Sequence, residues 1–316
     1  PVDVHAYWAA NPDDLYPDPS NPLRQDAYLY APAFEILVGI GIVFAAYYWL
    51  QLTTTTGAPV DVHAYWAANP DDLYPDPSNP LRQDAYLYAP AFEILVGWGR
   101  YLSFETFAAI WRGILLAVFV WLAGPLAAPV MFLPPVASEI NAGNIQILLA
   151  AAIVVGFKSP AAWAFVLLTK VSPGVGLLWF ALRRRWRDLA VALGATAMIA
   201  AVTFALWPDR WLAWLNLLVA GGSPPPLAPY YLPFLPRVTA AAAIVAIAAW
   251  RGWRWPVVVA AMLALPAFYF LSPSILVGTL PFARQAAGRR LERRREAVAE
   301  RLRAQATPEV GAIVAG

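Results

Sequence analysis

FETFAAIWRGILLAVFVWLAG, residues 104–124, is a run of 21 residues carrying two charges, Glu105 and Arg112. At about 1.5 Å of rise per residue, a helix of that length is about 30 Å long, the thickness of a bilayer's hydrocarbon core. Further apolar runs follow at 143–157, 161–182, 189–207, 239–250, 256–271 and 274–283, separated by breaks rich in proline and arginine. Composition agrees: 60% of the 316 residues are hydrophobic and 13% charged, against about 45–50% and about 25% in a soluble domain. The chain is therefore expected to be an all-α, polytopic helical membrane protein. Cysteine is absent, which excludes disulfides, zinc ribbons, iron–sulfur clusters and cysteine nucleophiles.

Upstream of residue 104 the sequence repeats itself. Residues 1–39 return without a change as residues 59–97. Solenoid repeats diverge between copies, so perfect identity points to a recent duplication or an assembly artefact. Between the copies, residues 40–52 extend backwards through 34–38 to spanning length. If that segment crosses once, the copies end on opposite sides and only one can serve a given compartment. The second copy lies between two spans and is the one expected to work. Three parts result: the duplicate at 1–39, a transmembrane part at 40–283 with its long loop at 53–103, and a basic tail at 284–316. About eight membrane elements are expected.

Charge orients them. Arg183, Arg184, Arg185 and Arg187, then Arg251 and Arg254, and the eight arginines from Arg284 to Arg303 belong on the cytoplasmic side, where lysine and arginine accumulate. If every earlier segment spans, keeping the 59–97 loop outside then requires that 161–182 not cross. A re-entrant hairpin hinged at Lys170 to Pro173 satisfies this, and a non-spanning 125–136 segment does so equally well. Irregular backbone at membrane depth is tolerated where it lines a cavity or is buried in protein. The tail interleaves Glu292, Glu296 and Glu300 with its arginines, as a solvated helix beside anionic membrane lipids would. It lacks the aromatic interleaving expected for nucleic acid.

The 59–97 loop carries the chemistry-bearing residues. Asp61 stands just beyond the first span, where water and bilayer meet and where a carboxylate's pKa can rise towards that of a general base. His63, two residues on, shares a face with Asp61 if the segment is extended. Tyr65 and Trp66 suit either sugar stacking or the interfacial aromatic belt. Asp71, Asp72 and Asp76 are hard-oxygen candidates for a divalent cation, but their proline-rich setting favours turns, and no metal or cofactor is expected. Arg82 is close enough to Asp84 to pair with it. Farther on, Glu139 and Asn144 flank a helix start, as caps or as site residues. Lys170 and Arg112 sit inside apolar runs, where a central lysine costs about 2.5–3.5 kcal/mol on insertion scales. Each needs an anion, a helix C-terminus or water.

Asp61-Val62-His63-Ala64-Tyr65-Trp66, Leu73-Tyr74-Pro75 and Tyr86-Leu87-Tyr88-Ala89-Pro90 resemble the first outer loop of family 87 glycosyltransferases in the GT-C membrane superfamily. Ala142-Gly143-Asn144-Ile145-Gln146 is similar to that family's helix start. Leu168-Thr169-Lys170-Val171-Ser172-Pro173 with Arg183-Arg184-Arg185-Trp186 is similar to its Lys-x-x-Pro break and basic turn. The resemblance implies a GT-C-like fold and inverting transfer of a sugar, typically mannose, from a polyprenyl-phosphate donor to a lipid or glycolipid acceptor outside a bacterial plasma membrane. It implies Asp61 as the base; His63, Tyr65, Arg82, Tyr88, Asn144, Lys170 and Arg237 are the candidate substrate-binding residues, with Arg210 a further candidate cation for the phosphate. A transporter or lipid-sugar flippase, with Lys170 and Arg112 along its pathway, explains the buried charges but leaves the loop without a task. A non-catalytic membrane subunit is the third alternative.

Overall fold

The computed structural model describes residues 60–69, 73–74, 86–219, 233–268 and 270–306. The first copy, the first span at 34–52, Arg82, Asp84 and the Asp71, Asp72, Asp76 trio lie outside the described residues. Among those described, every regular element is helical and no strand occurs. Thirteen α-helices follow in order: α1 Val60–Trp66, α2 Pro90–Val96, α3 Phe104–Ala123, α4 Ala127–Met131, α5 Pro134–Ala142, α6 Gln146–Gly156, α7 Trp163–Thr169, α8 Leu178–Leu182, α9 Trp186–Leu206, α10 Pro208–Val219, α11 Phe234–Arg251, α12 Trp255–Leu263 and α13 Leu280–Ala306. Tight 3-10 turns precede α3, α8 and α13 at Gly97–Tyr101, Ser172–Leu177 and Ser272–Thr279.

Three of these are long and apolar enough to cross a membrane: Phe104–Met131, which joins α3 to α4, then α9 and α11. A fourth appears if α5 and α6, bent by 104° at their junction, are counted as one broken span. Fewer described segments reach spanning length than the eight elements expected. The run at 256–271, read as a crossing, is helical for only nine residues, Trp255–Leu263. The run at 274–283 splits into a 3-10 turn and the start of α13, which continues unbroken through the arginines. Conversely, the connection expected at 208–234 contains a 12-residue helix, α10.

Packing follows side-chain size. In α3 the inward stripe is Ala108, Trp111, Leu115, Phe119 and Leu122, three or four residues apart as helix geometry requires. Its outer face shows Ile110, Ile114, Leu116, Val120 and Trp121. Lipid tails are as apolar as leucine, so helices in a membrane associate by close van der Waals fit rather than by a hydrophobic drive. In α11, which packs against α12, the small residues Ala241, Val245 and Ala248 are accordingly fully buried. In α9, by contrast, only Ala192 and Thr203 are buried, as in a helix surrounded by lipid.

Helix ends are closed by identifiable groups. Ser103 caps α3, its Oγ accepting from the Thr106 N–H at 3.3 Å. At the other end Gly124 has φ +57°, and the Arg284 guanidinium occupies the space a Cβ would need, donating to the Trp121 and Leu122 carbonyls at 3.2 and 2.9 Å. Arg112 donates to the Asn141 carbonyl near the end of α5 at 2.7 and 3.1 Å. Carbonyls at a helix C-terminus have no intrahelical partner and carry partial negative charge, so both arginines satisfy them without needing a counter-ion.

The breaks position the site. Lys170 has extended backbone, φ −140° and ψ 101°, and ends α7. The helical stretches on either side, Pro160–Thr169 and Ser172–Leu182, are each shorter than a span. They run out and back: the Phe157 ring before the first arm meets Trp179 and Phe180, late in the second, at 5.0 and 5.7 Å.

Candidate functional site

In α1, Asp61, Ala64 and Tyr65 fall at i, i+3 and i+4, one face of a helix. Ala64 and Tyr65 are buried, so the same face draws the half-buried Asp61 inward. The Tyr65 and Tyr88 hydroxyls share a hydrogen bond of 3.0 Å, and Tyr65 packs edge-on against Tyr88, Phe92 and Trp111. The Tyr74 hydroxyl donates to the Tyr88 carbonyl at 2.9 Å. Tyr65 is 1% exposed, which leaves it no open face on which a sugar could stack. Burial, reinforced by the neighbouring Asp61 charge, holds both Tyr65 and Tyr88 well above the ordinary phenol range, so they are neutral hydrogen-bonding groups.

His63 goes elsewhere. The segment is helical rather than extended, and residues two apart on a helix do not share a face. Its ring lies against Trp66 and Phe104, with centroids 5.8 and 5.3 Å away.

The α5–α6 junction comes to α1 through Gly143. This residue takes φ +74°, and a Cβ on it would lie 2.6 Å from that of Val62; its carbonyl accepts from the Trp111 indole N–H at 2.7 Å. Only glycine allows both the left-handed turn and the contact. Beside it, Asn144 Oδ1 accepts from the Ile145 N–H at 2.7 Å and Glu139 Oε1 from the Gln146 N–H at 2.5 Å. Asn144 and Glu139 thus close the start of α6, where amides without intrahelical partners favour an acceptor. Glu139 is 0% exposed.

Lys170 brings the third charge. Its ammonium interacts electrostatically with both Glu139 and Asp61, so α1, α5 and the α7 break bring the half-buried Asp61 and Lys170 and the buried Glu139 within electrostatic range of one another. Burial raises the Asp61 carboxyl above the usual carboxylate range, and Lys170 draws it part of the way back. Asp61 is thereby a stronger base than an exposed aspartate, with a cation at hand to stabilise its ionised form.

The other expected cations are engaged. Arg237 donates to the carbonyls of Leu263, Leu265 and Pro266 at 2.9, 2.7 and 3.2 Å and lies over the Phe234 and Phe268 rings. The residue expected to bind substrate thus holds the end of α12, where a buried guanidinium answers a row of terminal carbonyls. Arg210 pairs with Glu93 at 3.4 Å, and Arg100 meets the same carboxylate at 3.0 Å. Among the described residues no three histidine or acidic side chains are grouped to hold a metal ion.

Sequence reasoning left Glu139 open between a cap and a site residue and did not count it among the substrate-binding residues. A carboxylate embedded in apolar sequence immediately before a Gly-Asn break was the available signal; its approach to Lys170 was not readable from spacing.

No family model matches the chain, and no solved structure matches it. It is 32% identical over 108 residues to a polyprenol-phosphate-mannose-dependent alpha-(1-2)-phosphatidylinositol mannoside mannosyltransferase of Mycobacterium tuberculosis. The match takes in 31% of this chain, which spans about a quarter (25%) of that curated relative's length.

Proposed function

We propose that this membrane protein is an inverting glycosyltransferase, moving a sugar, mannose, from a polyprenyl-phosphate donor to a lipid or glycolipid acceptor at the outer face of a bacterial plasma membrane. The observation that carries the proposal is the convergence of a partly buried, pKa-raised Asp61 with Lys170 and Glu139. The partial likeness to a mannosyltransferase supports it.

In the proposed reaction the acceptor hydroxyl oxygen forms a bond to the anomeric carbon as the bond from that carbon to the phosphate oxygen breaks. Asp61 takes the hydroxyl proton, the bonding pair leaves with the lipid phosphate, and one displacement inverts the centre. A phosphate is a good leaving group, so the site needs a cation rather than a second acid. Lys170 faces two carboxylates, and its role here is to keep Asp61 ionised. With Arg210 and Arg237 engaged, Arg82 in the loop is the proposed contact for the donor phosphate.

Among the described residues, the topology proposed with this reaction has three full crossings, α3, α9 and α11. The segments at 134–156, 161–182 and 255–279 leave the cytoplasmic side and return to it, so the 59–97 loop and the basic tail lie on opposite faces. Contacts at the basic end support it: Trp179 donates to the Trp253 carbonyl, Arg183 to that of Ala249 and Arg284 to that of Leu122. The other end gathers the Arg210–Glu93 pair and the bond from Trp214 to the Leu87 carbonyl. Transport is the weaker alternative, because Arg112, one of the two charges it relied on, caps α5.

The test is transfer of radiolabelled mannose from polyprenyl-phosphate-mannose to membrane lipid acceptors by purified protein and its Asp61→Asn form. Product is expected from the parent, with a loss of about 10²–10⁴-fold in the variant; equal turnover would refute the assignment of the base.

A further inference from the structure

At the basic end, away from Asp61, a groove of about 360 Å³ opens between α3, the end of α6, the α11–α12 turn and the start of α13. Its walls combine Trp121, Phe157 and Phe282 with Lys158, Arg254 and Arg284, and none of its lining residues is acidic. The Arg254 guanidinium lies 5.6 Å over the Phe157 ring. Partial burial lowers its pKa from the ordinary range, and Arg185 and Arg289 are close enough to add to this by repulsion. Arg284 is committed to backbone carbonyls through its Nη2 and acts as a fixed positive wall. Lys158 and Arg254 are exposed and belong to no ion pair among the described residues.

Several cations held together without a carboxylate repel one another unless an anion joins them. Aromatic and aliphatic groups beside those cations suit a molecule that is anionic at one end and apolar at the other. Trp121 is half exposed on the outer face of α3, and Val155, also in the groove wall, is exposed on α6.

We infer that this groove binds an anionic membrane phospholipid, its phosphate between Lys158 and Arg254 and an acyl chain against Trp121 and Val155. The inference does not depend on the transferase reading, because retention of lipid, not turnover, tests it. Purified full-length protein is incubated with phosphatidylglycerol or phosphatidylcholine in detergent, and bound lipid is counted by native mass spectrometry. Phosphatidylglycerol is expected to be retained at least tenfold better than phosphatidylcholine, and Lys158→Glu with Arg254→Glu should abolish that preference. A control double variant, Arg187→Glu with Arg251→Glu, makes the same change in charge outside the groove and should keep it. The single Lys158→Gln variant, at an exposed position, gives a partial loss with no demand on folding. Equal retention of the two lipids, equal loss in the control variant, or displacement of the lipid by millimolar inorganic phosphate would each overturn the inference, the last by making the groove a site for free phosphate.

Discussion

Asp61 carries a burial cost that a purely structural residue would shed. Its folded pKa is raised, so its contribution to stability is fully present below the unfolded pKa near 3.9 and is lost as pH rises through the folded value. Asp61→Asn, lacking that charge, should therefore melt a few degrees higher than the parent at pH 7 and equally at pH 4, as followed by thermal unfolding in detergent. A lower melting temperature at both pH values would mean that Asp61 supports the fold. Lys170 pulls the Asp61 pKa down, so Lys170→Met should move the acid limb of the pH profile of kcat/KM to higher pH; an unmoved limb would separate the lysine from the base. Asp61 and Lys170 could be singled out from sequence, since each is a charge where apolar chain surrounds or adjoins it. Their meeting with Glu139 could not, because 78 residues separate Asp61 from Glu139 and no periodicity links them. His63 was misplaced for a local reason: the same spacing shares a face in a strand and not in a helix.

At the scale of elements, the α5–α6 turn sets how α1 approaches the site. Gly143→Ala must adopt a left-handed conformation that costs about 1–2 kcal/mol and must also push Val62 aside. The expected result is a loss of at least that much stability, measured by thermal unfolding, with a larger fractional loss of transfer activity as α1 moves. Activity retained in a destabilised variant would show that α1 is positioned by other contacts. The long helices were legible because 18 or more apolar residues without a break admit few other structures. The short ones were not, since 256–271 is as apolar as a span, and its helix ends at Leu263 where Arg237, from a different helix, takes up its carbonyls. Pro266, three residues on, marks the stop locally, whereas the guanidinium that takes up the freed carbonyls comes from 26 residues away.

For the whole molecule, the proposed topology has α3 cross between Tyr101 and Ser159 and so puts them on opposite faces. The chain has no cysteine, so Tyr101→Cys and Ser159→Cys each provide a single thiol at an exposed position. A membrane-impermeant maleimide added to intact cells should label the first and reach the second only after permeabilisation; the reverse pattern, or labelling of both, would remove the proposed sidedness. By itself, the sequence determined that the chain is helical and apolar, where its charged breaks fall, and which loop holds the polar side chains, because composition and periodicity are local properties that any neighbourhood must respect. Only the tertiary structure decided which apolar runs turn back and which charges meet. Those outcomes depend on contacts between distant segments, on Gly143 against Val62, Arg237 against the end of α12 and Lys170 against two carboxylates, and the energy of such a contact is defined only once both partners have been brought together.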